Sequence, residues 1–159
     1  MKNKPLSIML SIVILSLPLT SCSDSKKDIN INSTALIYGN ETEKTSEISM
    51  KGEYNTKKHN FTGSLDIGAE IKLENIIFSP GSGLISYNKT LRQYLGQIFF
   101  DYESLKFTIE ITDQELYHKL TQSNIDENKI ITITSPAKTL EEAKQINMEL
   151  KNQKLPFEK

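Results

Sequence analysis

The chain has a single cysteine, Cys22, no tryptophan, and only two histidines, His59 and His118. One cysteine cannot form an intramolecular disulfide, which excludes a disulfide-stapled fold. Two histidines and one cysteine are also too few to supply the clustered ligands of a zinc site. The sequence therefore predicts no metal and no cofactor, and the fold must depend on a hydrophobic core.

Neither sign of charge dominates the chain, which has 19 basic and 20 acidic side chains and a formal net charge of −1. Domains that bind nucleic acid usually present a strongly basic face, so we expect no nucleic-acid partner. The short pair Lys26-Lys27 is interpreted as part of a solvated linker.

Several catalytic motifs are also missing. No phosphate-binding loop, dinucleotide fingerprint or Gly-x-Ser-x-Gly elbow occurs. Ser82 lies between Gly81 and Gly83, but Pro80 precedes them. This composition predicts a hairpin turn, because proline fixes φ and glycine adopts conformations that other residues avoid.

A few acidic residues and histidines are candidates for hydrolytic chemistry. Asp101 with Glu103, and Asp113 with Glu115, have the spacing of paired carboxylates, but both pairs lie at predicted turns, where acids are common. His118 follows Glu115 by three residues and would share a helix face with it, as a base and its orienting group. An exposed surface pair is the favoured interpretation. His59 is predicted to be an exposed turn residue, and no residue is assigned as catalytic.

No apolar run is long enough to form a transmembrane helix. Leu6 to Leu19 is the main apolar stretch, whereas a spanning helix needs roughly 20 residues. Lys2 and Lys4 precede it, and small polar residues follow it. A positive start, an apolar middle and a small polar end are typical of a secretory signal.

The sequence Leu19-Thr20-Ser21-Cys22, which ends this segment, resembles the lipobox of bacterial lipoprotein precursors. The resemblance implies cleavage between Ser21 and Cys22 and a diacylglyceryl group on the Cys22 thiol. Two acyl chains anchor a protein stably, whereas one holds it only marginally. The resemblance therefore implies a membrane partner and a location at the outer face of the cytoplasmic membrane. Frequent lysine, isoleucine and asparagine favour a Gram-positive source.

These observations divide the chain into three parts. Residues 1–21 are predicted to be the signal peptide, residues 22–33 a polar lipidated tether, and residues 34–159 a single exported domain. About 125 residues suit one domain with one core.

Alternation of apolar and polar residues predicts strands through most of the domain. The clearest runs are Phe61 to Ile67, with a hairpin turn at Gly68-Ala69, and Leu105 to Ile111. In the second run Leu105 and Ile109 should face the core, and Lys106, Thr108 and Glu110 should face solvent. The region from Gln114 to Leu120 fits either a short helix capped by Asp113 or an edge strand.

The end of the chain predicts a helix instead. Thr139-Leu140-Glu141-Glu142 matches a capping box. Leu140, Ala143, Ile146, Asn147 and Leu150 then fall near one helical face. We therefore predict an α+β fold, a mostly antiparallel β-sheet of five to eight strands with one C-terminal helix packed on it.

The order of elements also resembles small secreted or lipid-anchored proteins of Gram-positive bacteria, a group for which no activity is known. The resembling pieces are Phe61-Thr62-Gly63-Ser64-Leu65, the stretch from Tyr94 to Phe99, and Ser135 to Thr139 leading into Glu141-Glu142-Ala143. The resemblance is to the order of elements and implies no enzymatic activity.

Three functions remain open at this point. The leading hypothesis is a non-enzymatic, lipid-anchored binding or interaction module with a protein, peptide or envelope component as its partner. The alternatives are an envelope-associated hydrolase using Asp101, Glu103 or His118, and an immunity or inhibitor lipoprotein. Tyr87, Tyr94, Tyr102 and Tyr117 are amphipathic candidates for a recognition surface, although packing is their more common role. The ligand-binding residues are unknown from sequence.

Overall fold

The structure is a computed structural model that describes residues 25–88, 91–123 and 130–153. Eight strands and two helices lie in this part of the chain. In order they are β1 (Lys26–Gly39), β2 (Thr42–Asn55), β3 (Asn60–Ile67), β4 (Ile71–Phe78), β5 (Ser82–Asn88), β6 (Leu91–Asp101), β7 (Lys106–Ile111), α1 (Gln114–Thr121), β8 (Ile131–Ser135) and α2 (Leu140–Asn152). The predicted mostly antiparallel β architecture with a C-terminal helix is confirmed.

The strands form one closed barrel in which each strand pairs with its neighbours along the chain. The barrel closes between the first and last strands, where Leu36 pairs with Thr134 and Tyr38 with Thr132. All of these pairings are antiparallel. The closed barrel is a more specific architecture than the sheet expected from the sequence.

The barrel interior is filled by side chains. Phe61, Leu65 and Ile67 alternate along β3 and are 0–3 % exposed, as their spacing predicts. They belong to a continuous buried cluster with members on every strand and on α1. Eight strands enclose a space that side chains can fill, so the interior is a core.

Helix α1 packs its apolar face into one end of this core. The Asp113 carboxylate caps the helix by accepting a hydrogen bond of 2.8 Å from the Leu116 amide. Leu116, Tyr117 and Leu120 are buried in the same cluster as the strand residues. The sequence left open whether the region from Gln114 to Leu120 is a short helix or an edge strand. The structure shows a helix.

Helix α2 lies outside the barrel, across β1, β8, β7 and β6. Its predicted capping box is confirmed, since the Thr139 side chain accepts from the Glu142 amide and Glu142 reaches back. Ala143 and Leu150 are buried, and Ala143 packs with Leu36 in a small second cluster. The helix therefore covers part of the outer barrel surface, as its apolar face predicts.

The alternation predicted for β7 is present, but the burial of Thr108 was not predicted. Thr108 was expected to face solvent, but its side chain is 0 % exposed and its hydroxyl lies 2.7 Å from the Thr134 hydroxyl. The residue does point away from the barrel interior, but helix α2 packs on β7 and β8. Leu105, expected in the core, lies in the turn before β7 and only partly packs on the core.

The predicted tether is wrong over residues 26–33, because β1 begins at Lys26 and pairs with β2 along its whole length. Ile29 and Ile31 are 2 % and 5 % exposed, whereas Asp28, Asn30 and Asn32, which alternate with them, are exposed. The isoleucine–asparagine alternation is thus a period-two strand pattern. The signal peptide, with Ser21 and Cys22, lies outside the described residues.

Ile109 tests the assigned register because its side chain is 0 % exposed. We expect Ile109→Ala to lower the free energy of unfolding by about 2–5 kcal/mol through the cavity it leaves. The neighbouring Glu110→Ala removes only a partly exposed ion pair with Lys151 and should cost no more than about 1 kcal/mol. Urea denaturation of the two variants measures the difference, and equal midpoints would contradict the register.

Candidate functional site: a cleft at one end of the barrel

The two ends of the barrel differ. The N-terminal end, as we call it, is formed by Ser25 and by the turns Thr56–His59, Ser79–Gly81 and Tyr102–Leu105, whereas α1 lies at the opposite, helix-capped end. The Thr56 amide donates a hydrogen bond of 2.7 Å to the Ser25 carbonyl. This bond fixes the first described residue of the chain against the β2–β3 turn.

A cleft of about 380 Å³ lies at the N-terminal end. It runs from the mouth of the barrel, between the turns, to the last turn of α2. Its lining is made of four aromatic rings, a histidine, two acids and smaller contributions from a turn and the helix: Tyr54, Phe99, Phe100, Tyr102, His59, Asp101, Glu103, Pro80, Gly81, Leu150 and Gln153. The cleft is open to solvent. Aromatic residues make up 8 % of the chain but four of the eleven residues that line the cleft.

Packed aromatic rings form the floor of the cleft. The ring of Tyr54 is stacked on Tyr102 with centroids 4.7 Å apart and meets Phe100 edge-on at 5.8 Å. Behind them Phe61 is stacked on Phe78 at 4.8 Å, and Phe78 meets Phe100 edge-on at 5.6 Å. Offset-stacked and edge-on pairs are the favourable geometries of aromatic rings, so the floor is a well-packed aromatic cluster.

Tyr102 is held from both sides. The Lys27 ammonium lies 5.2 Å from the centroid of its ring and donates a hydrogen bond of 3.3 Å to its carbonyl oxygen. Tyr54 occupies the other face. A cation over an aromatic face is attracted by the ring quadrupole, so this lysine, predicted to be in a linker, instead orders the β6–β7 turn.

Asp101 is engaged within the same turn. One carboxylate oxygen accepts from the Glu103 amide at 2.9 Å and the other from the Ser104 hydroxyl at 2.6 Å. Burial acts to raise the pKa of Asp101, but hydrogen bonds from the Ser104 side chain and from backbone amides outweigh it and lower the pKa. The group therefore stays ionised and organises the turn, which makes it a poor proton donor.

Burial raises the pKa of Tyr54 to about 12, with smaller contributions from Tyr102 and Asp101. Because the pKa in the unfolded chain is near 10, this stabilising contribution is complete below about pH 10 and is lost as the pH rises to about 12. We expect Tyr54→Phe to remove the tyrosinate absorbance step near pH 12. It should also reduce the loss of stability between about pH 10 and about pH 12, measured by urea denaturation. The absence of tryptophan keeps the absorbance readable, and an unchanged late step would contradict the assignment.

Of the residues proposed for a hydrolase, Asp101 and Glu103 both line the cleft, together with His59, but His118 does not. Asp101 and Glu103 lie at the N-terminal end, whereas His118 is on α1 at the helix-capped end. His118 does not pair with Glu115 either. Glu115 accepts a hydrogen bond of 2.6 Å from Lys119, and His118 Nδ1 lies 3.2 Å from the Ser123 carbonyl oxygen. The structure thus gives His118 the surface role that the sequence favoured.

Two further candidates have structural roles. The Asp113 carboxylate caps α1 and also accepts a hydrogen bond of 2.9 Å from Gln93. The Ser82 hydroxyl donates to the Ser79 carbonyl at 2.7 Å and accepts from the Ser79 amide at 3.1 Å, which closes the predicted β4–β5 turn. Neither residue is presented to a substrate.

The structure also corrects the prediction for His59. This residue is half-buried and lines the cleft, although a fully exposed turn position was expected. Its φ of 51° is in the left-handed region. That conformation follows from the tight β2–β3 turn, which directs the residue toward the rim rather than into solvent.

The tyrosines predicted to form a recognition surface are distributed over both ends. Only Tyr102 lies in the cleft. Tyr117 is 0 % exposed in the core, and Tyr94, 53 % exposed, lies on β6 near the helix-capped end. Sequence reasoning did not identify Tyr54 and Phe100 as lining residues.

Three observations complete the description of the site. Within residues 25–88, 91–123 and 130–153 no three His, Cys, Asp or Glu side chains are grouped as metal ligands would be. Neither helix of this described part has the length and apolar character needed to cross a membrane. No protein family, no curated protein and no solved structure matches this chain.

Proposed function

We propose that this chain is a lipid-anchored, non-enzymatic binding module at the outer face of the cytoplasmic membrane. The lipobox-like sequence Leu19-Thr20-Ser21-Cys22 after an apolar run supports the anchor. Cleavage between Ser21 and Cys22 leaves Cys22 as the first residue, with a diacylglyceryl group on its thiol. Two acyl chains give the stable attachment that such a module needs.

The aromatic cleft at the N-terminal end is the observation that supports a binding role. Binding sites on proteins are typically concave and mostly apolar, with a few polar groups that orient the ligand. Here Phe99 and Tyr102, both half-buried, supply the apolar surface above the buried ring of Tyr54, and Glu103 supplies an exposed negative charge beside them. This combination fits a peptide or envelope molecule with an apolar group next to a basic one.

The same cleft gives little support to the hydrolase alternative. Hydrolysis by paired carboxylates requires one acid to donate a proton at neutral pH. The lowered pKa of Asp101 and its hydrogen bonds within the turn oppose that role. The binding role requires no such proton transfer.

The anchor is tested by labelling cells with radioactive palmitate. We expect label in the wild-type protein, recovered with the membrane fraction, and none in Cys22→Ser, which should be released or retained as a precursor. A wild-type protein that takes up no label would contradict the anchor.

The cleft is tested by photo-crosslinking in the intact envelope. Benzoylphenylalanine replaces Tyr102 in the cleft or, as a matched control, the exposed Tyr94 near the other end. We expect a discrete adduct from position 102 that is absent from position 94. Identical adduct patterns from the two positions would contradict a binding role for the cleft.

A further inference from the structure

We infer that the N-terminal end of the barrel rests on the bilayer, with the β2–β3 turn against anionic lipid headgroups. This inference rests on the proposed lipid anchor at Cys22. It adds to the proposed anchor a defined orientation of the barrel. It also adds a second contact with the membrane, between the β2–β3 turn and the lipid headgroups.

The short distance along the chain between Cys22 and the barrel is the first argument. Ser25 follows Cys22 by three residues, which span at most about 11 Å even when fully extended. The Ser25 carbonyl is fixed by the Thr56 amide at 2.7 Å and the Thr56 hydroxyl at 3.2 Å. A lipid on Cys22 therefore holds the N-terminal end of the barrel within about 11 Å of the headgroups.

The length of the barrel makes the two ends unequal. Strand β1 has 14 residues, which corresponds to roughly 46 Å at the rise of a β-strand. The turn Gly68–Glu70 follows β3, which has 8 residues and spans roughly 26 Å, and helix α1 lies at the same helix-capped end. An anchor that reaches only about 11 Å is shorter than these strands. It therefore holds the N-terminal end nearer to the bilayer than the helix-capped end.

The charges of the β2–β3 turn are the second argument. Lys57 and Lys58 are exposed, and their amides are fixed by the Asn55 side chain at 3.0 and 2.8 Å. By contrast Lys26 pairs with Glu53 at 2.8 Å, and Lys27 lies over Tyr102. In the described part of the chain no ion pair engages Lys57 or Lys58.

Two exposed lysines beside the anchor match the negative charge of phosphatidylglycerol. A lysine near an anionic bilayer strengthens binding by roughly five-fold. Acids at the same end weaken this attraction in part. Asp101 is engaged within its own turn and Glu53 is paired with Lys26, whereas Glu103 and Asp28 are exposed. Tyr102, half-buried beside them, is a residue type enriched at membrane interfaces. In this orientation the cleft opens toward the headgroup layer, so its ligand would be a membrane-associated molecule.

The orientation is tested with the lipidated protein in phosphatidylglycerol–phosphatidylcholine vesicles that contain a headgroup-linked quencher. A fluorophore is attached through Ser104→Cys in the β6–β7 turn or, as the matched control, through Ala69→Cys in the β3–β4 turn. Both positions are exposed turn residues at opposite ends. We expect the fluorophore at position 104 to be quenched several-fold more than the one at position 69. Equal quenching, or stronger quenching at 69, would overturn the inference.

The role of the lysines is tested in the same vesicles. Lys57→Gln/Lys58→Gln should reduce the difference in quenching, while Lys44→Gln/Lys72→Gln, which removes two exposed lysines near the helix-capped end, should leave it unchanged. If both pairs of changes have the same effect, the headgroup contact is wrong. A wild-type protein that carries no lipid would instead contradict the anchor itself, so the two failures are distinguishable.

Discussion

A chain that ends at Lys138, and therefore lacks α2, is expected to lose its cooperative unfolding transition at 25 °C. The truncation removes the buried side chains of Ala143 and Leu150 and uncovers Leu36 and Thr108. Burial of one large apolar side chain is worth about 1.5–3 kcal/mol, and several contacts of this size are lost together. Domains of this kind are stable by only about 5–15 kcal/mol, so the deficit approaches the whole stability.

The matched control for this truncation is Thr139→Ala, which leaves the helix in place. It removes the cap in which the Thr139 hydroxyl accepts from the Glu142 amide and should cost about 0.5–2 kcal/mol. Urea denaturation followed by circular dichroism compares the two. If the truncated chain unfolds cooperatively at the wild-type midpoint, α2 is an appendage and its apolar face is free for another partner.

Gly96→Ala is expected to destabilise the protein by at least about 3 kcal/mol. Gly96 has a φ of 150°, and a Cβ atom there would lie 1.9 Å from the Glu110 carbonyl oxygen of β7. The pairing of β6 with β5 shifts between Leu84 and Ile85 opposite this residue. The change would therefore force apart two strands of a closed barrel, in which no neighbouring strand can move away freely.

Gly68→Ala is the control for Gly96→Ala because it also has a positive φ, of 61°, but its added Cβ would meet only the Ser46 hydroxyl, at 3.2 Å. It should lower the free energy of unfolding by about 1–2 kcal/mol, because the added side chain disfavours the left-handed backbone conformation. Thermal and urea denaturation give the comparison. Similar losses of stability in Gly96→Ala and Gly68→Ala would contradict the prediction that the close approach of β6 to β7 excludes a side chain at position 96.

Local patterns in the sequence predicted the local structure correctly. The alternation of Phe61, Leu65 and Ile67, the turn at Gly68-Ala69 and the capping box at Thr139 are all present in the structure. Each of these features depends on residues a few positions apart. Period, turn chemistry and capping are therefore sufficient to predict them.

Features that depend on distant residues could not be predicted in this way. Closure of the barrel requires Leu36 to pair with Thr134, and no local pattern specifies that partner. The burial of Thr108 depends likewise on where α2 docks. The strand at Ile29 and Ile31 was missed for another reason, since its polar partners made the segment resemble a linker although its period was two.

The cleft was only partly predictable for the same reason. Tyr102, Asp101 and Glu103 were noted as amphipathic or acidic residues, but nothing in the sequence placed Tyr54 and His59 beside them. The lining comes from the ends of β2 and β6, three turns and the end of α2. Only the register of the closed barrel brings these segments together.

The short ladder that closes the barrel constrains when folding can be completed. Every other strand pair joins chain neighbours, whereas β1 and β8 are paired over only Leu36–Tyr38 and Thr132–Thr134. Hairpins between neighbours form with little loss of chain entropy, and contacts between distant residues form late. During synthesis β1 emerges before β8, so the edges of both strands stay open until β8 is available to pair. Helix α2 follows β8 and lies across this junction, so it covers the junction only after the barrel can close.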